Sequence, residues 1–332
     1  MKRVDTALGL LVPAILVVIV GVLAANASRA NEIHYLSALV AVTMVVAIYV
    51  FVGNSGVLSF GQISFVAVGA FAAGVLTVPS QSKSFVLPEL FPFLRDTTVG
   101  SLASLGIAAA VGGVFAFLVG MPLMRLSGLA AGIATFAVLE VTHNLLREWT
   151  SIGPGATTLS LVPETTGALQ ATLGALAVIL VAWLYGLSRP GRLLRATRED
   201  AAAAQSVGVS VHRQRLGAFT LSGALAGFAG GLYVHMLGSI TTEQVYLELT
   251  FLTLAMLVVG WIASLWGAVV GALAVSGLDS LLAKAEDGSF VWDAPSGTRL
   301  IVVGAMMALV LVLRPAGITG GRELSLPRRM SE

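Results

Sequence analysis

Ten long apolar segments, each nearly free of charged residues, dominate this sequence and decide the solvent in which it can fold. A helix crosses about 30 Å of hydrocarbon with about 20 apolar residues, because each residue adds about 1.5 Å. Charged residues make up only 11% of the chain, less than half their usual share in globular proteins. These observations predict an all-α, polytopic membrane helical bundle with about 8–10 transmembrane helices. The predicted spans are 8–25, 35–53, 63–79, 99–121, 128–146, 167–187, 216–238, 249–263, 267–283 and 298–313.

The eighth and ninth segments, 249–263 and 267–283, are short for a full span, and we expect half-helices or the two arms of a close hairpin there. The first segment follows Met-Lys-Arg and ends at an A-x-A-like site, Ala25-Asn26-Ala27, as a signal peptide does. At about 18 residues it is longer than the apolar region of a usual signal peptide. We therefore expect an uncleaved first span and a single membrane domain over 1–332.

The distribution of lysine and arginine predicts the orientation of the bundle. If ten spans start from a cytoplasmic N terminus, thirteen of the nineteen basic residues lie inside and six lie outside, as the positive-inside rule requires. Both termini, including the tail 314–332, are therefore expected to be cytoplasmic. The inside residues are Lys2, Arg3, Arg125, Arg189, Arg192, Arg195, Arg198, Arg213, Arg215, Arg314, Arg322, Arg328 and Arg329; the outside residues are Arg29, Lys83, Arg95, Arg147, Lys284 and Arg299.

The sequence carries no motif for covalent chemistry. It has no cysteine, no G-x-x-x-x-G-K-[ST] phosphate-binding loop, no H-E-x-x-H motif and no Cys/His set for a structural metal. A formal net charge of +2 gives no reason to expect nucleic acid as a partner. We therefore expect a non-catalytic protein without metal or cofactor, driven by a partner protein or by an ion gradient.

The longest predicted cytoplasmic segment, 188–215, contains six arginines and two acidic residues. Its centre, Thr197 to Val207, has a helical composition, and Gly208 stands where a helix commonly ends. A short helix parallel to the membrane is therefore expected. One interpretation is a loop whose arginines lie at lipid head groups. The other is a docking helix whose alanine surface, Ala201–Ala204, enters a cleft of a cytosolic protein.

Residues 191–233 read GRLLRATREDAAAAQSVGVSVHRQRLGAFTLSGALAGFAGGLY. This stretch resembles the cytoplasmic loop and following span of LivM-type permeases, the membrane subunits of branched-chain amino-acid ABC importers. The resemblance extends, in the expected order, to 55–74, 124–155 and 312–318, and covers about a third of the chain. In that family the loop contacts the ATPase subunit. The residues that match its motif, and are therefore expected at the ATPase, are Arg198, Glu199, Ala203, Ala204 and Gly208.

The resemblance implies a permease subunit that takes its solute from an extracytoplasmic binding protein and works by alternating access. The implied partners are two cytosolic ABC ATPase subunits, a second homologous permease chain, the solute-binding protein and the lipid bilayer of a bacterial inner membrane. An ion-coupled secondary transporter is the first rival, although few acidic residues lie near the midplane to bind a coupling ion. An intramembrane enzyme is the second rival, and it lacks a recognisable nucleophile and base.

Two segments depart from the family pattern and leave the solute open. The family usually carries a glycine-rich G-G-x-G-S-x-x-G-P-x-x-G-A, whereas this chain reads GWIASLWGAVVGA at 260–272, so that Trp261, Ala263 and Ala268 replace two glycines and the proline. Thr241-Thr242-Glu243 stands where the family tends to carry Ser-Pro-Glu. Urea, amides or another small polar solute therefore remain as alternatives to branched-chain amino acids.

A polar, glycine-rich stretch, GNSGVLSFGQ at 53–62, separates the second and third spans. It is interpreted either as a simple turn at the inner face or as opened backbone at membrane depth that lines a water-filled route for the solute. The resemblance favours the second interpretation. The residues expected to line the route here are Asn54, Ser59, Gly61, Gln62 and Ser64.

Glu140, His143 and Asn144 share one face of the fifth span, because residues three and four apart are neighbours on a helix. Counting from Gly128, Glu140 lies about 18 Å along the helix, past the midplane. A carboxylate at that depth needs a partner or a cavity. We therefore expect either a local pairing of Glu140 with His143 or a place on the translocation path for all three residues. Asp279 in the ninth span poses the same choice.

Glycines recur at spacings of four in two spans. Gly223, Gly227 and Gly231 form a small-xxx-small face on the seventh span. Gly267 and Gly271 form a face of the same kind on the ninth span. Such faces let a neighbouring helix backbone come close. We expect helix packing within the subunit, with a subunit interface as the alternative.

Overall fold

The structure, a computed structural model, describes residues 2–286, 295, 297–314 and 317–320. This part of the chain is almost entirely helical and contains no β-strand, only an isolated bridge between Leu159 and Ile240. The α-helices are α1 Lys2–Ala25, α2 Arg29–Ser55, α3 Gln62–Thr77, α4 Ser80–Val86, α5 Pro92–Arg95, α6 Ser101–Leu123, α7 Gly128–Glu148, α8 Ala168–Leu187, α9 Arg189–Glu199, α10 Ala201–Ser206, α11 Val211–Leu237, α12 Leu247–Gly260, α13 Leu265–Glu286 and α14 Thr298–Leu313. A 3-10 helix spans Glu243–Val245. The predicted all-α bundle is confirmed.

Eight helical segments in the described residues are long and apolar enough to cross a membrane. They lie in α1, α2, α6, α7, α8, α11 and α13, and in the segment Glu243–Gly260 that includes α12. Two shorter apolar helices, α3 and α14, bring the number to ten, so the prediction of about 8–10 spans is confirmed. For 249–263 and 267–283 the half-helix alternative is wrong, because the segments Glu243–Gly260 and Leu265–Glu286 are each long and apolar enough to cross a membrane. The other alternative, the two arms of a close hairpin, is the one that the structure shows.

The centre of the bundle is formed by α2 and α11. Almost every side chain of α2 between residues 39 and 52 is buried, and α11 packs against α2, α3 and α6. The outer helices α1, α6, α7 and α8 carry large apolar side chains that the rest of the subunit leaves exposed. A protein that is surrounded by lipid or by another membrane subunit needs such an apolar outer surface.

The glycine face of α11 lies against α6 and α3, with the helix backbones in direct contact. A Cβ on Gly227 would lie 2.3 Å from the carbonyl oxygen of Ala108 in α6, and a Cβ on Gly69 of α3 would lie 2.3 Å from the carbonyl oxygen of Gly227. Helices this close have no room for a side chain between them. The glycines of this face are Gly223, Gly227 and Gly231, and each faces an atom of α6 within 3 Å of its would-be Cβ.

A second close contact joins α12 and α13 into an antiparallel hairpin. A Cβ on Gly260 would lie 1.8 Å from the carbonyl oxygen of Gly267, and a Cβ on Gly271 would lie 2.0 Å from that of Met256. The turn begins at Trp261, whose φ of 117° and ψ of 112° lie in a backbone region that residues other than glycine rarely adopt. This is one of the positions where the resembled family carries glycine. The hairpin therefore holds a strained tryptophan.

Replacing Trp261 with glycine should relieve this strain, whereas alanine removes the same ring and keeps the unfavourable φ. Strain of this kind costs about 1–3 kcal/mol, so we expect the W261G protein to be more stable than W261A by about that amount. At an unstrained helix position the order is reversed by about 0.5–1 kcal/mol. Thermal unfolding of the two variants in detergent measures the order, and a W261A protein as stable as W261G would contradict the strained conformation.

Candidate functional site

The inner end of the bundle carries two short helices, α9 and α10, which meet at Asp200. The single helix expected over 197–207 is wrong, because the backbone of Asp200 is extended, with φ −151° and ψ 107°. The Asp200 carboxylate accepts hydrogen bonds from the backbone N–H groups of Ala202 and Ala203, both at 2.9 Å. Such a cap satisfies the free donors of a helix N terminus and so starts a new helix. Gly208 follows the end of α10 with φ +86°, the conformation expected just beyond a helix.

The five residues that match the coupling motif differ in exposure. Glu199, Ala203 and Gly208 are exposed, whereas Ala204 is buried. Arg198 is exposed as a residue, but its side chain, 30% exposed, turns toward the bundle, with its Nε 3.7 Å from the Glu199 carboxylate. A partner at the inner face can therefore reach four of the five positions directly.

Two arginines fasten α9 to the C-terminal end of α2. Arg198 Nη1 donates to the carbonyl oxygen of Gly53 at 2.7 Å, and Arg195 Nη1 donates to Asn54 Oδ1 at 3.2 Å. A Cβ on Gly56 would lie 2.8 Å from Cγ of Arg198. The first residues of the 53–62 stretch are therefore held by α9.

The same stretch continues into the bundle as non-helical backbone between α2 and α3. The backbone N–H of Phe60 donates to Thr135 Oγ1 at 3.2 Å, and a Cβ on Gly61 would lie 2.5 Å from the Thr135 carbonyl oxygen. Thr135 is on α7, seven residues from its first residue, Gly128. α7 begins at the inner end, where Arg215 at the start of α11 donates to the preceding loop. At 1.5 Å per residue, the Gly61 backbone lies about 10 Å in from that end.

A cluster of buried uncharged groups surrounds the start of α3. Ser222 Oγ of α11 lies 3.0 Å from Gln62 Oε1 and 2.7 Å from the Ala47 carbonyl oxygen of α2. In the described part of the chain, Gln62 Nε2 and the hydroxyls of Ser59 and Ser64 have no hydrogen-bond partner, although these three residues are at most 1% exposed. Buried polar groups nearly always have a partner, so this cluster is suited to contact a further polar molecule.

The polar face of α7 contacts the segment that leads into α12. Glu140 accepts a hydrogen bond from Asn144 Nδ2 at 2.9 Å and another from the Tyr246 hydroxyl. His143 is buried, stacks on Tyr246 with ring centroids 3.9 Å apart, and places Nε2 3.5 Å from the Glu243 carboxylate. The hydrogen-bonded pairing of Glu140 with His143 is therefore not formed. Glu140 and Asn144 stay exposed on the surface of the subunit.

Each of these sets of contacts includes a residue for which the sequence alone predicts no role. Thr135 and Ser222 contact the 53–62 stretch, Tyr246 contacts Glu140, and Arg195 holds Asn54. Only Arg195 carried a local signal, because it lies three residues before Arg198 and so shares its helix face. The other contacts join helices that are distant along the chain.

Comparison with known families decides the classification. A family model described as branched-chain amino acid transport system / permease component matches residues 30–311. The chain belongs to this family. The matched range includes the 53–62 stretch, α7, α9, α10 and the glycine face of α11. No solved structure matches this permease.

Several curated proteins are similar to this permease. The high-affinity branched-chain amino acid transport system permease protein LivM of Escherichia coli K12 is 27% identical over 304 residues, which cover 81% of this chain and 65% of LivM. The probable branched-chain amino acid transport permease protein LivH of Methanocaldococcus jannaschii is 27% identical over 290 residues, 79% of this chain and 86% of LivH. The autoinducer 2 import system permease protein LsrC of Yersinia pseudotuberculosis is 27% identical over 211 residues, which cover 57% of this chain and 59% of LsrC. The permease thus spans just under two thirds of the length of LivM.

Proposed function

We propose that this permease is a non-catalytic membrane subunit of a binding-protein-dependent ABC importer, driven by two cytosolic ATPase subunits. The observation that carries the proposal is the continuous connection from α10 at the inner end, through the arginines of α9, to the 53–62 stretch. Through it, a displacement of α10 reaches residues that lie inside the bundle. The solute's route then changes sides when the ATPases open and close, as alternating access requires.

The exposed surface of α10 favours docking to a protein over contact with lipid head groups. Ala203 is exposed, and Val207 is 78% exposed. Small apolar side chains next to the Glu199 carboxylate fit a protein cleft that excludes water. The nearby arginines Arg195 and Arg198 bond to α2 rather than extending outward as lipid-binding side chains do.

The buried cluster at the start of α3 is proposed to line the solute route. The free hydrogen-bonding groups of Ser59, Gln62 and Ser64 are uncharged, and such groups bind a polar solute weakly enough to release it. Non-helical backbone at membrane depth is tolerated where it lines a water-filled cavity. A proton-coupled transporter would need a titratable side chain on its route, and Ser59, Gln62 and Ser64 provide none.

The polar face of α7 supports a second homologous permease as the neighbour. Glu140 and Asn144 are exposed at membrane depth beside the exposed apolar side chains Ile133 and Val141. Lipid solvates a carboxylate poorly, so this face requires protein or a water-filled route between two permeases. Two ATPases also need two docking helices, one from each permease.

Branched-chain amino acids are the proposed solute, because the family and two of the relatives are named for them. The LsrC relative is named for import of autoinducer 2, so family membership alone leaves urea, amides and other small polar solutes as the alternative. We place the permease in a bacterial inner membrane as one domain, with both termini and the tail 314–332 in the cytoplasm, on the distribution of basic residues.

Solute-stimulated ATP hydrolysis tests this function. The permease, reconstituted with its partner permease, ATPases and binding protein, should hydrolyse ATP faster with leucine than without it. Gln62→Met should reduce leucine uptake about fivefold or more, because the loss of a hydrogen-bonding group costs about 1 kcal/mol or more. It should leave ATPase binding unchanged. Gln170→Met on α8 is the matched control.

The outcomes separate the candidate functions. Stimulation by urea or an amide but not by leucine would change the solute and keep the importer. Uptake that follows an ion gradient without ATP would overturn the importer itself. An unimpaired Gln62→Met protein would remove this cluster from the route.

A further inference from the structure

A cavity of about 400 Å³ lies within this one subunit, between α2, α11, α12, α13 and α14. It is separate from the Gln62 cluster and shares no residue with it. We name it the Arg299 chamber, after the arginine in its wall. Its volume is within the range of about 300–1,000 Å³ that is usual for small-molecule sites. Glu248 and Arg299 are near the first residues of α12 and α14, so the chamber lies toward the end of the bundle opposite α9 and α10.

Charged groups of both signs meet in the wall of the chamber. Arg299 Nε is 2.9 Å from Asp279 Oδ1, and Arg299 Nη2 is 3.0 Å from Glu248 Oε1. Among the described residues, no hydrogen bond or ion pair involves Arg299 Nη1, and Asp279 and Glu248 each contact the guanidinium through one oxygen. The backbone N–H of Arg299 donates to Glu286 Oε1 at 2.7 Å. The ion set can therefore still bind an anion through the arginine and a cation through the carboxylates.

Most of the remaining wall is apolar, with some hydroxyl groups. Methionine and leucine side chains from three helices line it, and they are flexible enough to fit branched side chains of slightly different shape. Ser37, Thr253 and Ser276 add hydroxyls between them. The apolar side chains include Ala41, Met44, Met236, Leu249, Leu252 and Met256.

We propose that the Arg299 chamber binds a free α-amino acid with an apolar side chain. The ligand's carboxylate binds Arg299 Nη1, its ammonium group binds the free oxygens of Glu248 and Asp279, and its side chain packs among the methionines. The side chains of Arg299 and Asp279 are 33% and 23% exposed and that of Glu248 is 54% exposed, so the charged groups are within reach of a ligand that enters the chamber. The proposal deepens the proposed function by giving the solute class a binding site inside a single subunit, and it rests on that function for the choice of amino acid.

A zwitterion explains the wall better than the other solutes considered. Urea and amides carry no charge, and they would offer no charged partner to Arg299 Nη1 or to the carboxylate oxygens that the arginine does not use. A cation alone would not use Arg299 Nη1, and an anion alone would be repelled by the two carboxylates. The chamber therefore predicts that both charged ends of the ligand are required.

Leucine binding to the full chain in lipid nanodiscs, without binding protein or ATP, tests the proposal. Radiolabelled leucine should bind saturably, and leucinamide and 4-methylpentanoate, which each lack one charged end, should compete at least tenfold more weakly than leucine. Arg299→Gln should weaken binding at least tenfold. Ala41→Leu, which fills the chamber and leaves every charge in place, should also weaken it. Ile301→Ala, an exposed position on the same helix, should have no effect.

Each result decides between the site and the wider function. If Arg299→Gln does not fold, the Ala41→Leu protein and the two analogues still test the site. The proposal is overturned if leucine does not bind, if Ala41→Leu binds leucine normally, or if leucinamide competes as well as leucine. If the assembled importer carrying Arg299→Gln transports leucine at the normal rate, the chamber is not the leucine site, whereas the proposed function is supported. If the importer transports only urea while the chamber still binds leucine, leucine is not the transported solute, whereas the binding site is supported.

Discussion

Ala203→Glu should uncouple the importer while leaving the subunit folded. Ala203 is exposed on α10, so the free subunit tolerates a carboxylate there. In a dry docking cleft the same carboxylate would be an unpaired charge, which costs about 2–5 kcal/mol. We expect at least thirtyfold weaker ATPase binding, from about 1.4 kcal/mol for each factor of ten, and no solute-stimulated ATP hydrolysis. Co-purification of the ATPase and hydrolysis in proteoliposomes measure both.

Two control variants test whether the effect depends on the position of the new charge and on its exposure. Ser101→Glu adds the same charge at the start of α6, toward the opposite end of the bundle, and should leave coupling unchanged. Ala204→Glu places the charge at a buried position of α10, so it should lower the thermal stability of the subunit itself. Normal coupling in the Ala203→Glu protein would remove the docking role from α10.

Gly227→Val should prevent stable folding of the bundle. Even a Cβ at this position would lie 2.3 Å from the Ala108 carbonyl oxygen, and Gly69 packs against the other side of the same residue. Because both neighbours are backbone, no rotamer change makes room, and α6 or α3 must move. Overpacking of a core costs about 1–3 kcal/mol even where side chains adapt, so we expect a larger loss here, seen as a much lower Tm or as aggregation in detergent.

Gly217→Ala is the matched control for Gly227→Val. Gly217 lies on the same helix, and nothing is within 4 Å of its would-be Cβ. Alanine is the better helix former, so this variant should gain about 0.5–1 kcal/mol. A Gly227→Val protein with an unchanged Tm would show that α11 and α6 are further apart than the structure places them.

The spans could be predicted from the sequence because hydrocarbon requires a long run of apolar residues, and such a run is a local property. The break between α9 and α10 could also be read locally, although the run of alanines concealed it. Asp200 directly precedes that run and is a strong helix cap. Helix propensity averaged over 197–207 predicts one helix because the alanines outweigh a single capping residue.

The site contacts could not be predicted, because they join residues distant in sequence. Ser222 lies 160 residues from Gln62, and Tyr246 lies 106 residues from Glu140. No periodicity within one helix reports which distant hydroxyl faces it. The polar residues themselves stood out against an apolar background, since polar groups in a membrane span need a reason to be there.

The glycine contact between α3, α6 and α11 also determines which parts of the subunit can move. Where backbones touch, there are no side-chain rotamers to absorb sliding, so we expect these three helices to behave as one stiff block. α7 packs less closely on α3 and α6 than α11 does, and Thr135 of α7 contacts Phe60 and Gly61 just before α3, so α7 is the helix that can move against the block. Changes of shape during transport should therefore occur as rotation of α7 against a rigid core, and a spin label on α7 should report distance changes that a label pair on α6 and α11 does not.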